Sequence, residues 1–177
     1  DYPKAIETYE NLYANHRNRD DVLRLLLRLY AAKNDFTQMI RTLERMELIE
    51  GPSEQITLTK VQVYEQSGEK GKVLRELRQL AESHPHDLNY RVMLGNWLLQ
   101  NNNAKAALKE YKAVLREEPE NQMAQVSMLD YYRAVDMQSK VTDLTTTLLS
   151  NPHTESYTKL VILRQAIQEA ESGQGDS

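Results

Sequence analysis

Apolar residues recur at every 34th position along most of the chain, and this period limits the fold more than any other feature of the sequence. From Ala5 the step lands on Met39, Val73, Ala107 and Val141; from Leu12 it lands on Met46, Leu80, Val114 and Leu148. Ile6 leads to Ile40, Leu74 and Leu108, and Tyr9 to Leu43, Leu77 and Tyr111; both columns end on threonine, at Thr142 and Thr145. Tyr30, Tyr64, Leu98 and Tyr132 form a further column, and Leu27, Val61, Gly95 and Leu129 another. A period of this length marks a stack of supersecondary units, none of which can bury its own apolar face.

Spacing within the period shows what the unit is. Ala5, Tyr9, Leu12 and Tyr13 form one helical stripe, and Leu23, Leu26, Leu27 and Tyr30 a second, so each period holds two amphipathic helices. Between the two helices the column reads Asn34, Gly68, Asn102 and Asp136, the residue types that best tolerate a left-handed backbone after a helix end. Between periods stand Pro52, Pro85, Pro119 and Pro152, which cannot continue a helix. Helices are therefore predicted over 3–16, 20–33, 36–49, 54–67, 70–83, 87–101, 104–117, 121–135, 138–150 and 155–171, with a disordered tail at 172–177.

The 34-residue period, the paired helices and the proline at the unit's end resemble the tetratricopeptide repeat. The unit 88–121 carries Leu94-Gly95, Leu98, Ala107, Tyr111, Val114-Leu115 and Pro119 in that pattern. Departures are Leu27 where a small residue is preferred, Lys60 where leucine is expected, and Thr142 and Thr145 where larger apolar groups are usual. The resemblance implies an all-α fold, a right-handed superhelix of stacked pairs. Full repeats would occupy 20–53, 54–87, 88–121 and 122–154, with a second helix of a truncated repeat at 1–19 and a capping helix at 155–171. Because the chain starts at a second helix, it is expected to be the C-terminal part of a longer array. Arg164, Gln165, Gln168 and Glu169 would give the cap a polar outer face.

No catalytic constellation appears, and the expectation is a protein that is not an enzyme and needs no cofactor or metal. The sequence lacks GxGxxG and GxxxxGK[ST] phosphate loops. His84-Pro85-His86 supplies two imidazoles without a third ligand, and Glu117, Glu118 and Glu120 read as a solvated cluster around Pro119. A formal charge of -4 gives no basic field for nucleic acid, no apolar run reaches the ~20 residues of a membrane span, and no cysteine is present. Cytoplasmic and exported locations both stay open.

The resemblance implies a protein-interaction scaffold whose first helices line a concave groove. Carried over position by position, the groove residues are Arg24, Arg28, Gln62, Gln66, Asn89, Asn96, Gln100, Asp130 and Arg133, together with apolar neighbours such as Val92 and Val126. Amides there can satisfy a peptide backbone, and Arg24 and Arg28 could clamp a carboxylate. The family's chaperone-tail clamp needs cations where Val92 and Asn96 stand, which argues against that ligand. The expected partner is a protein or peptide segment. The alternative is a structural module that spaces or oligomerises a larger protein, with a homodimer forming through the face of Ala5, Tyr9, Leu12 and Tyr13 on the N-terminal helix.

Overall fold

In the computed structural model, residues 1–175 are described, with side chains through Gly173. They form ten α-helices and, among the described residues, no strand. The helices sort into two compact units, Asp1–Ser83 and His84–Ser177.

The first unit holds α1 (Tyr2–Asn15), α2 (Asp20–Ala32), α3 (Phe36–Glu50), α4 (Glu54–Gln66) and α5 (Lys70–Ser83), each packed on the next. Its core gathers Leu23, Leu26, Tyr30, Leu43, Met46, Ile56 and Val63. Ile6, Tyr9, Leu12 and Tyr13 pack against that core. The apolar face of α1 thus has a neighbour on one side, while Ala5, Tyr9, Leu12 and Tyr13 all stay half-buried.

The second unit holds α6 (Leu88–Gln100), α7 (Ala104–Glu117), α8 (Gln122–Ala134), α9 (Gln138–Ser150) and α10 (Ser156–Gly175). Consecutive helices pack here too, and in addition α6 lies on α8 and α8 on α10. The first helices of successive pairs therefore share one layer.

The helix ends follow local chemistry. Asn34, Asn102 and Asp136 adopt φ of 54°, 62° and 57°, and Gly68 a φ of 76°, so the predicted column is the set of left-handed turns inside the pairs. The side chains of Asp35, Ser53, Asp87, Asn103 and Asn121 accept a backbone N–H of the first turn of α3, α4, α6, α7 and α8, each cap contributing about 1 kcal/mol.

Three side-chain arrangements distinguish individual positions along the repeat. Lys60, in the leucine position, is buried, with Nζ 3.4 Å from Glu47 Oε1 of α3 and 3.3 Å from Glu76 Oε1 of α5. Burial alone would lower its pKa, but the two carboxylates prevail and hold the ammonium above its ordinary value. On α6, Gly95 admits the ring of the fully buried Tyr111 from α7. On α9 only Val141 and Leu148 are buried, as the threonines at 142 and 145 led one to expect.

The last helix corrects two expectations. It continues to Gly175, so 172–175 is helical; Ser172 Oγ donates to the Gln168 carbonyl one turn back, and no proline stops the helix. Residues 176–177 lie outside the described residues. Its outer face is mixed: Arg164 and Gln168 are exposed as expected, but so are Tyr157, Leu160, Leu163 and Ile167, while Gln165 and the still exposed Glu169 reach Arg133 of α8. The fully buried Ile162 packs with Leu129, Val141 and Leu148, so apolar burial and the acceptors that an inward-facing arginine needs agree on this rotation.

Candidate functional site

The nine predicted groove residues are divided between the two units. In the first, Arg24 is exposed but engaged, with Nη2 2.5 Å from Glu50 Oε1 and Nε 3.3 Å from Asp20 Oδ2. A guanidinium held by two carboxylates is poorly placed to clamp a third. Arg28 lies one turn on, exposed, and Gln62 and Gln66 are exposed one turn apart on α4. The backbones of α2 and α4 do not approach as those of α6 and α8 do, although Leu23 and Leu26 of α2 share a core with Ile56 and Val63 of α4.

The second unit does bring predicted residues together. Asn89 and Asn96 of α6 and Asp130 of α8 line a cleft of about 610 Å³ along the layer of first helices. Its apolar floor is made by Met123, Val126 and Val161, with Tyr157 at the mouth. Asn121 and Gln122 also line it, but their amides have structural work. Asn121 caps α8 and donates to Glu118, while Gln122 joins the α8 start to the His153 carbonyl and the Glu155 N–H. That leaves Asn89 and Asn96 as amides for a guest.

Asn96 is held in a defined orientation. Its Oδ1 accepts the Tyr111 hydroxyl at 2.7 Å, which leaves the amide nitrogen as a donor towards the cleft. Burial pushes the Tyr111 phenol well above its ordinary pKa, so the hydroxyl remains a donor throughout the neutral range. Asp130 keeps 48% of its side-chain accessibility, yet the cleft removes enough water to push its carboxyl up. Arg133 opposes that shift from 3.2 Å.

Arg133 itself is a strut. It pairs with Asp130 and Glu169 and donates to Gln165 Oε1 at 3.2 Å, tying α8 to α10 beside a second hollow of about 620 Å³. Gln100 is exposed and lines neither hollow.

The cleft also contains groups that the position-by-position reading missed: Glu118, Glu120, Glu155 and Tyr157. Tyr157 could have been found, since Asn89, Met123 and Tyr157 lie 34 apart and all three line the cleft. His84 and His86 are exposed, and His84 packs its ring 5.1 Å from Tyr90. Among the described residues no three His, Cys, Asp or Glu side chains are grouped to hold a metal ion, and no helix is long and apolar enough to cross a membrane.

No protein-family model matches the chain, and no curated protein matches its sequence. Solved structures match its fold. A tetratricopeptide repeat protein from Parabacteroides merdae has a TM-score of 0.61 at 14% identity, over 85% of this chain and 60% of its own. YrrB, described as a TPR protein with an unusual peptide-binding site, gives 0.58 at 13% over 92% and 84%. A third, MamA, gives 0.56 at 15% over 84% and 81%. The chain is therefore an all-α helical-repeat protein with the tetratricopeptide-repeat fold, similar to these proteins in architecture and distant from them in sequence.

Proposed function

We propose that the chain is a non-catalytic scaffold that holds an extended peptide or protein segment along the first helices of its second unit. One observation supports this above the others. Asn89, Asn96 and Asp130, picked out by repeat position, line a single cleft with an apolar floor and a pre-oriented amide donor. An extended peptide needs such amides for its backbone and apolar pockets for alternate side chains. YrrB's peptide-binding description is consistent with such a use of the fold. The test is peptide-display selection on the whole chain. Selected peptides should lose about tenfold or more in affinity on Val126→Trp, which fills the floor, and should be indifferent to the double substitution Arg24→Ala, Arg28→Ala. Peptides that ignore Val126→Trp would overturn this reading.

A second reading, self-association, rests on α10. Tyr157 is 76% exposed, and Leu160 and Ile167 are each 58% exposed, forming an apolar stripe. Lys159 and Arg164 lie in the first half of the helix and Glu171 in the second, so an antiparallel pair of such helices would match opposite charges. Light scattering of the chain against Leu160→Ser, Ile167→Ser decides it. A dimer lost in the variant supports it, and a monomer at all concentrations removes it.

A further inference from the structure

We propose that the segment this cleft takes is basic, with a lysine or arginine side chain laid over Val126 and Val161 and its charge among Glu118, Glu120, Asp130 and Glu155. This rests on the peptide-binding reading above and adds the chemistry of the guest.

Every ionisable residue on the cleft wall other than Tyr157 is a carboxylic acid, and no lysine, arginine or histidine lines it. Local neutralisation is incomplete. Arg133 reaches Asp130 from the neighbouring hollow, but it is shared with Glu169, so two carboxylates divide one guanidinium. Glu118 receives only the neutral amide of Asn121, and Glu120 and Glu155 have no ion pair among the described residues. A concave, partly desolvated wall of one sign focuses its field on the space it encloses. Burial raises the Asp130 carboxyl, and the one guanidinium of Arg133 opposes that shift without cancelling it.

The floor argues for a side chain and against a bare ion. Met123, Val126 and Val161 offer apolar surface to an aliphatic stem whose charged end continues to the acidic rim, the way lysine and arginine lie across apolar ground. No three acids are grouped to hold a metal ion among the described residues, which separates this cleft from a cation cage. Asn89 and Asn96 then supply hydrogen bonds to the guest's backbone.

The experiment uses the whole chain and three fluorescein-labelled extended peptides of one leucine-serine framework, differing only in carrying lysine, glutamine or glutamate at alternate positions. Fluorescence anisotropy should rank lysine above glutamine above glutamate, with about tenfold or more between the first two at low salt and a loss of that margin at high salt. Asp130→Asn with Glu155→Gln should remove the advantage of the lysine peptide over the glutamine peptide. Met123→Lys, which adds a cation to the cleft, should weaken the lysine peptide far more than the glutamine peptide, and circular dichroism should show both variants folded. If lysine and glutamine peptides bind equally and Val126→Trp expels both, the charge inference is overturned while the peptide cleft stands. If no peptide responds to Val126→Trp, both readings fall.

Discussion

Tyr111 occupies the space that a side chain at Gly95 would need: a Cβ built on Gly95 would lie 2.6 Å from Tyr111 Cε1. The ring is fully buried and its hydroxyl is bonded to Asn96, so it cannot step aside without disturbing the cleft.

Gly95→Ala should therefore destabilise, although alanine is the better helix former. The propensity gain is about 1 kcal/mol and overpacking costs about 1–3 kcal/mol, for an expected net loss of about 1 kcal/mol in urea denaturation. Gly71→Ala on α5 supplies the contrast. Nothing lies within 4 Å of its Cβ, and it should stabilise by a few tenths to about 1 kcal/mol. Equal signs for the two would contradict the packing described.

Lys60 should show the asymmetry of buried ion groups. Lys60→Ala strands Glu47 and Glu76, which keep only 24% and 12% of their side-chain exposure, and should cost about 3 kcal/mol. Replacing the group together, as Glu47→Ala, Lys60→Leu, Glu76→Leu, should come out neutral or stabilising. Denaturation midpoints of the two proteins check this, and a triple variant weaker than Lys60→Ala would refute it.

Glu10 and Asp130 should impose opposite pH dependences. Hydrogen bonds from Arg45, working against burial and aided by the Tyr30 hydroxyl at 2.5 Å, hold the Glu10 carboxyl below its ordinary 4.5. A depressed folded value means the unfolded chain binds the proton first. That stability is present above the ordinary value and is lost as pH falls through the folded one. Asp130 is raised, so its ionisation costs stability that is fully felt above its folded value. Thermal melts across the acid range should give Glu10→Gln a shallower acid loss, and Asp130→Asn a higher Tm at neutral pH that converges on the parent in acid.

Leu80 is buried at 4% exposure and Leu80→Ala should cost about 2–5 kcal/mol, while Gln66→Ala at an exposed site should cost about 0.5 kcal/mol or less. Urea midpoints that fail to separate the pair would count against the predicted core.

Most of the architecture was legible because its punctuation is local. Asn34, Gly68, Asn102 and Asp136 mark turns that need a left-handed residue, and α5, α7 and α9 begin and end where the pattern placed them. The rotation of α10 was not legible. A helix with neighbours on one side has an apolar pattern compatible with more than one orientation; here Ile162 is buried with Leu129, Val141 and Leu148, and Arg133 takes acceptors from Gln165 and Glu169. In the cleft, Asn89, Asn96 and Asp130 followed from repeat position, whereas Glu118, Glu120 and Glu155 come from the connections between helices, where the period carries no information. The engagement of Arg24 by Glu50 joins residues 26 apart, a spacing that no helical pattern contains.

The charged trio centred on Lys60 gives one seam of an otherwise interchangeable stack its own address. A pair copied from elsewhere in the chain would offer Leu94 or Met128 at that position and leave two acids facing hydrocarbon. Exchanging that pair for another would be penalised at this contact.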